Sequence, residues 1–66
     1  MKEAVSILAT VLSSSINTDD KIEAINSLAD YLPDHDAVHA LGVAAETATD
    51  GRVRQAAIKA LGGRTT

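Results

Sequence analysis

The stretch Asp50-Gly51-Arg52-Val53-Arg54-Gln55-Ala56-Ala57-Ile58-Lys59-Ala60-Leu61-Gly62 decides the fold. Asp50 is able to accept hydrogen bonds from the free N–H groups of a helix's first turn, and Gly51 lets the chain bend into it. Val53, Ala57, Ala60 and Leu61 recur at helical spacing and form an apolar stripe. Half of that stripe is alanine, so a neighbouring helix can come close. Gly62 and Gly63 are expected to end the helix, with Arg64 near the negative end of its dipole.

Three further helices are expected upstream. The first runs from Lys2 to about Ser15, with Ala4, Val5, Leu8, Leu12 and Ile16 on one face; Ser13 to Thr18 then loosen it, because short polar side chains compete for its backbone. Asp20, with Glu23 three residues on, reads as the capped start of the second helix. Its stripe is Ile22, Ile25, Leu28, Ala29 and Leu32, and Pro33 is expected to stop it. Asp34 is the natural N-cap of the third helix, whose core side is Ala37, Leu41, Ala44, Ala45 and Ala48. No alternating pattern suggests a strand. Ile7 and Val43 fall off the stripes of their helices.

Sliding the chain by 33 positions pairs Ala4 with Ala37, Val5 with Val38 and Leu8 with Leu41. The same shift pairs Ala24 with Ala57, Ile25 with Ile58 and Leu28 with Leu61, while Asn17 meets Asp50 and Lys21 meets Arg54. The expected fold is therefore all-α: one domain, residues 1–66, built as two stacked antiparallel helical hairpins. Repeat one covers residues 1–33 and repeat two residues 34–66.

The pattern D-G-x-V-R-x-A-A-x-x-A-L-G at residues 50–62 resembles the second helix of a HEAT-like repeat, of the kind found in phycobilisome-lyase-type HEAT proteins. The resemblance implies a minimal α-solenoid whose second and fourth helices line a concave binding surface. Glu23, Ser27, Asp30, Gln55 and Lys59 are the polar residues expected to project from it. In the family, the turn Asp and the following Arg pair between neighbouring repeats, a role that falls on Asp50 and Arg54. The first repeat has Asp20 where the second has Val53 and Lys21 where it has Arg54; only Asp50 and Arg54 match the family's pair, so a polar ladder running through the molecule is not expected. The family also suggests an accessory role in bilin chemistry, although nothing here marks a bilin site.

Composition narrows the function classes. At 66 residues, hydrophobic gain and ordering cost nearly cancel, so such chains usually need a disulfide, a metal or a partner. There is no cysteine, which leaves association. Two repeats also leave two uncapped ends, where solenoids normally stack three or more. A net charge of −3 and a single aromatic residue argue against nucleic-acid binding. No apolar run is long enough to span a membrane, and the start of the chain does not read as a signal peptide; the expected location is the cytoplasm.

Catalytic patterns are missing. The serines at 13–15 lack a nucleophile elbow, and no glycine-rich phosphate loop occurs, so an enzyme is not expected. His35 and His39 share a helix face beside Asp34 and Asp36, the weak metal-ligand alternative, with no third ligand in view. No cofactor is expected. The charges divide: residues 1–33 are mostly acidic, whereas Arg52, Arg54, Lys59 and Arg64 follow Asp50 with no acid among them. That division points to head-to-tail stacking, or to an acidic groove for a basic partner. The expected function is a non-enzymatic scaffold or adaptor binding another protein and forming a homo-oligomer, with Ile7 and Val11 extending an intermolecular seam.

Overall fold

The computed structural model describes residues 2–14 and 16–65, and the side chains among them apart from those of Lys2, Arg64 and Thr65. Regular structure among the described residues is entirely helical: α1 Lys2–Ser14, α2 Thr18–Ala29, α3 His35–Thr47 and α4 Gly51–Thr65. α1 packs on α2 and α3 packs on α4, giving two hairpins. α1 also lies against α3 and α2 against α4, while among the described residues α1 and α4 do not pack on each other. In an up-and-down bundle α2 and α3 would be full neighbours; here they meet only sparsely, because the second hairpin is laid on the first. The result is a slab of 25 × 24 × 16 Å.

The starts of α1 and α3 are 33 residues apart, as are those of α2 and α4 and the ends of α1 and α3. Capping chemistry accounts for the starts. Asn17 Oδ1 accepts from the Asp20 N–H at 3.2 Å, and Asp34 Oδ1 accepts from the N–H groups of Asp36 and Ala37 at 2.9 and 3.2 Å. Asp50 Oδ1 accepts from the Arg52 N–H at 2.8 Å. Each cap satisfies donors that the first helical turn leaves open. Near its end α1 is bonded by its own hydroxyls: Ser14 Oγ donates to the Thr10 carbonyl at 2.6 Å and Thr10 Oγ1 to that of Ser6 at 2.9 Å.

The core between the four helices is aliphatic: Val5, Leu12, Ile25, Leu28, Leu41 and Val53 surrounded by Ala24, Ala37, Ala44 and Ala57. Of the α4 alanine stripe, Ala57 is wholly buried and Ala60 half-buried, and Ala37 of α3 is wholly buried as well. Ile7 and Val43 are 59% and 44% exposed, in line with their places off the stripes.

Several boundaries differ from the sequence expectation. α2 begins at Thr18 under an Asn17 cap, not at Asp20. It also ends at Ala29, well before Pro33. The chain there tightens into successive i→i+3 bonds, Asp30 N–H to the Ser27 carbonyl and Tyr31 N–H to that of Leu28, which carry it out of the α-helix before the proline. Ile16 sits in the connection after α1 and is 99% exposed, so it belongs to no stripe. Gly62 and Gly63 lie inside α4, with no glycine at positive φ. The Ser15 end of the first helix and the Arg64 side chain lie outside the described residues.

Candidate functional site

Among the described residues, grooves open on several faces of the helix stack. The first lies between α2 and α4, about 540 Å³ in volume. Its floor is Ala29, Ala56 and Ala60, and its rim carries Asn26, Arg52, Gln55 and Lys59. Small floor residues are what let α2 and α4 sit close while leaving a depression above the seam. The second groove, about 460 Å³, opens on the far side of α1 and α2 and is lined by Ala4, Ile7, Leu8, Ser27, Asp30 and Tyr31. A narrower continuation holds Val11, Asp20 and Glu23. The third runs along α1 and α3 and includes Lys21, His39, Val43 and Val53.

The five residues expected on one concave face are thus divided between two. Gln55 and Lys59 line the α2–α4 groove, whereas Glu23, Ser27 and Asp30 line the grooves on the open side of α1 and α2. Residues 33 positions apart share a helix position, but the one in α2 has an open side where its counterpart in α4 meets a neighbour. The α2–α4 groove is consequently basic at its rim, through Arg52 and Lys59, and not acidic. Ile7 and Val11 both lie at the open α1–α2 end.

Asp50 and Arg54 take separate partners. The Asp50 carboxylate reaches across hairpins, where Thr18 Oγ1 donates to Oδ2 at 3.1 Å, while Arg52 Nε stands 3.8 Å from Oδ1. The Arg52 N–H first, and the Thr18 hydroxyl next, hold this carboxyl below its ordinary value. Arg54 Nη1 donates instead to the carbonyls of Ala48 and Thr49 at 2.8 and 3.2 Å, filling acceptors left open at the end of α3. Asp50 thus bonds across the hairpins to Thr18, while Arg54 bonds within its own repeat. Sequence reasoning does not single out Thr18; it stands at the first position of α2, beside its capping Asn17.

His35 is solvent-facing with Nδ1 3.7 Å from Asp36 Oδ1, and His39 lines the α1–α3 groove. Among the described residues no group of three or more His, Asp or Glu side chains converges on one point. No described helix is long and apolar enough to cross a membrane. Comparison with protein-family models, with curated proteins and with solved structures found no match.

Proposed function

We propose that this chain is a non-enzymatic protein-interaction module of the cytoplasm, a two-repeat unit of HEAT-like architecture that holds an acidic segment of another protein along its α2–α4 face. The observation that supports this reading is the groove itself: an alanine floor between two cations, Arg52 and Lys59, with the amides of Asn26 and Gln55 beside them. Carboxylates of an extended segment would meet the cations at the rim while its apolar side chains covered the alanines. Such rim charges govern specificity and association rate more than total affinity. The 33-residue spacing of the helix starts and the stacking of like helices support the repeat reading.

The test is a backbone amide titration by NMR with a short Glu/Leu-rich peptide, alongside a Lys/Leu-rich peptide of the same length. Shifts at Asn26, Gln55 and Gly63 with the acidic peptide, weakening as salt is raised, are the expected result. Reversing both cations, with Arg52→Glu and Lys59→Glu, should weaken binding about tenfold or more. Response to the basic peptide alone, or to neither, overturns the reading.

A further inference from the structure

We propose that a second copy of this chain stacks head to tail on the first, the α3–α4 end of one copy covering the α1–α2 end of the next in the register that relates the two hairpins within the chain. The inference rests on the interaction role and names one partner for it.

The internal seam supplies the template. Val5, Leu12, Ile25 and Leu28 of the first hairpin are buried, at 1%, 7%, 0% and 0% exposure. Their counterparts 33 positions on are Val38, Ala45, Ile58 and Leu61. These hold the same places in their own hairpin, yet Ile58 is 56% exposed and the other three are half-buried. The difference is the cover that the second hairpin gives the first and that nothing gives the second. The opposite end shows the converse. Ala37, Leu41 and Ala44 are buried at 0%, 0% and 7%, while their counterparts Ala4, Leu8 and Val11 are half-buried and line the open grooves between α1 and α2. One end thus repeats the surface that hairpin one offers, and the other end repeats the surface that receives it. The internal seam shows this kind of fit once, with Leu12 and Val53 where the open ends have Ala45 and Asp20.

The copy departs at several positions, Leu12 for Ala45, Glu23 for Ala56 and Ser27 for Ala60 among them, and the departure at Asp20 identifies the occupant. Asp20 stands at the open end where the internal seam has Val53. Within the chain Val53 and Lys21 line the same groove. The counterpart of Lys21 is Arg54, so stacking in this register brings Arg54 of one copy beside Asp20 of the next. A carboxylate in an apolar seam is costly unless a cation meets it. The surrounding charge agrees: α2 offers Asp19, Asp20 and Glu23, and α4 offers Arg52, Arg54 and Lys59. Because the two surfaces differ, the contact is heterologous; it adds copies in a row unless the rotation closes a ring.

Sedimentation across a concentration series tests this. The wild-type mass should rise well above 6.8 kDa as concentration increases. Ile58→Asp blocks one end and Ile7→Asp the other; both sites are more than half exposed, so helicity by circular dichroism should be unchanged. Each variant alone should be a single chain, whereas an equimolar mixture should stop at two chains, joined by the one intact pair of ends. Asp20→Lys should weaken stacking about tenfold or more, through like charge facing Arg54, and Arg54→Asp in the same chain should restore it. A wild type of single-chain mass at all concentrations, or a mixture that stays single, overturns the stacking. If such single chains still respond to the acidic peptide, the interaction role stands without the seam. Stacking with no peptide response leaves the seam standing and removes the acidic partner.

Discussion

Ile25 and Ile58 are the same residue at the same place in two hairpins, yet one is fully buried and the other 56% exposed. Ala4 and Ala37 differ in the opposite sense, the first half-buried and the second sealed. Local sequence sets which side chains share a helix face. Whether that face is covered depends on what lies beyond it, and a two-hairpin stack has one covered seam and two open flanks. Asp20 against Val53 adds the chemical counterpart: the covered position is apolar and the open one carries a charge.

The strongest way to break this comparison is to cut back both isoleucines. Ile25→Ala should cost about 3 kcal/mol and Ile25→Val about 1, since both leave unfilled space in the core. Ile58→Ala should stay within about 0.5 kcal/mol when measured by urea unfolding of a dilute sample, as for an ordinary surface site. Equal costs would show that the two flanks are not distinct.

A smaller effect sharpens the alignment of the halves. Gly42 falls where the first hairpin has Ala9, and a Cβ added there would meet nothing within 4 Å. Gly42→Ala should therefore raise stability by about 1 kcal/mol, by restoring helix propensity in the middle of α3. A loss in the urea midpoint would mean that α3 needs the glycine for a close approach the alignment does not reveal.

The smallest effect concerns the polar link between hairpins. Asp50 titrates below its ordinary 3.8 in the folded chain, so its contribution is complete above that value and fades as acid protonates the folded form. The thermal midpoint should fall on the acid side, and Asp50→Asn should make that fall shallower. An unchanged slope would separate the Thr18 bond from stability.

Much of this was legible in the residues. The apolar stripes placed all four helices because a period near 3.6 leaves few other readings for Ile25, Leu28, Leu41 or Ala57. The caps at Asp34 and Asp50 were legible because each precedes a helix start directly. Asn17 was not, since Asp20 offers the same capping chemistry three residues later and periodicity does not choose between them. Pro33 masked the true end of α2, where i→i+3 bonds had already drawn the chain out of the helix. Gly62 and Gly63 misled for the opposite reason: glycine permits a stop but does not impose one. The grooves were least visible, because the residues of each come from two helices far apart in the chain. Thr18 shows this most plainly, bonding to Asp50 across 32 positions.

The turn after α2 has a practical outcome. Its Tyr31 is the one aromatic residue of the chain, which has neither tryptophan nor phenylalanine. Half-buried, it lines the groove at the open end of α1 and α2. Near-ultraviolet absorption and intrinsic emission from this protein therefore arise at a single ring. The molecule carries its own optical probe, fixed where any visitor to that end would alter the light it gives back.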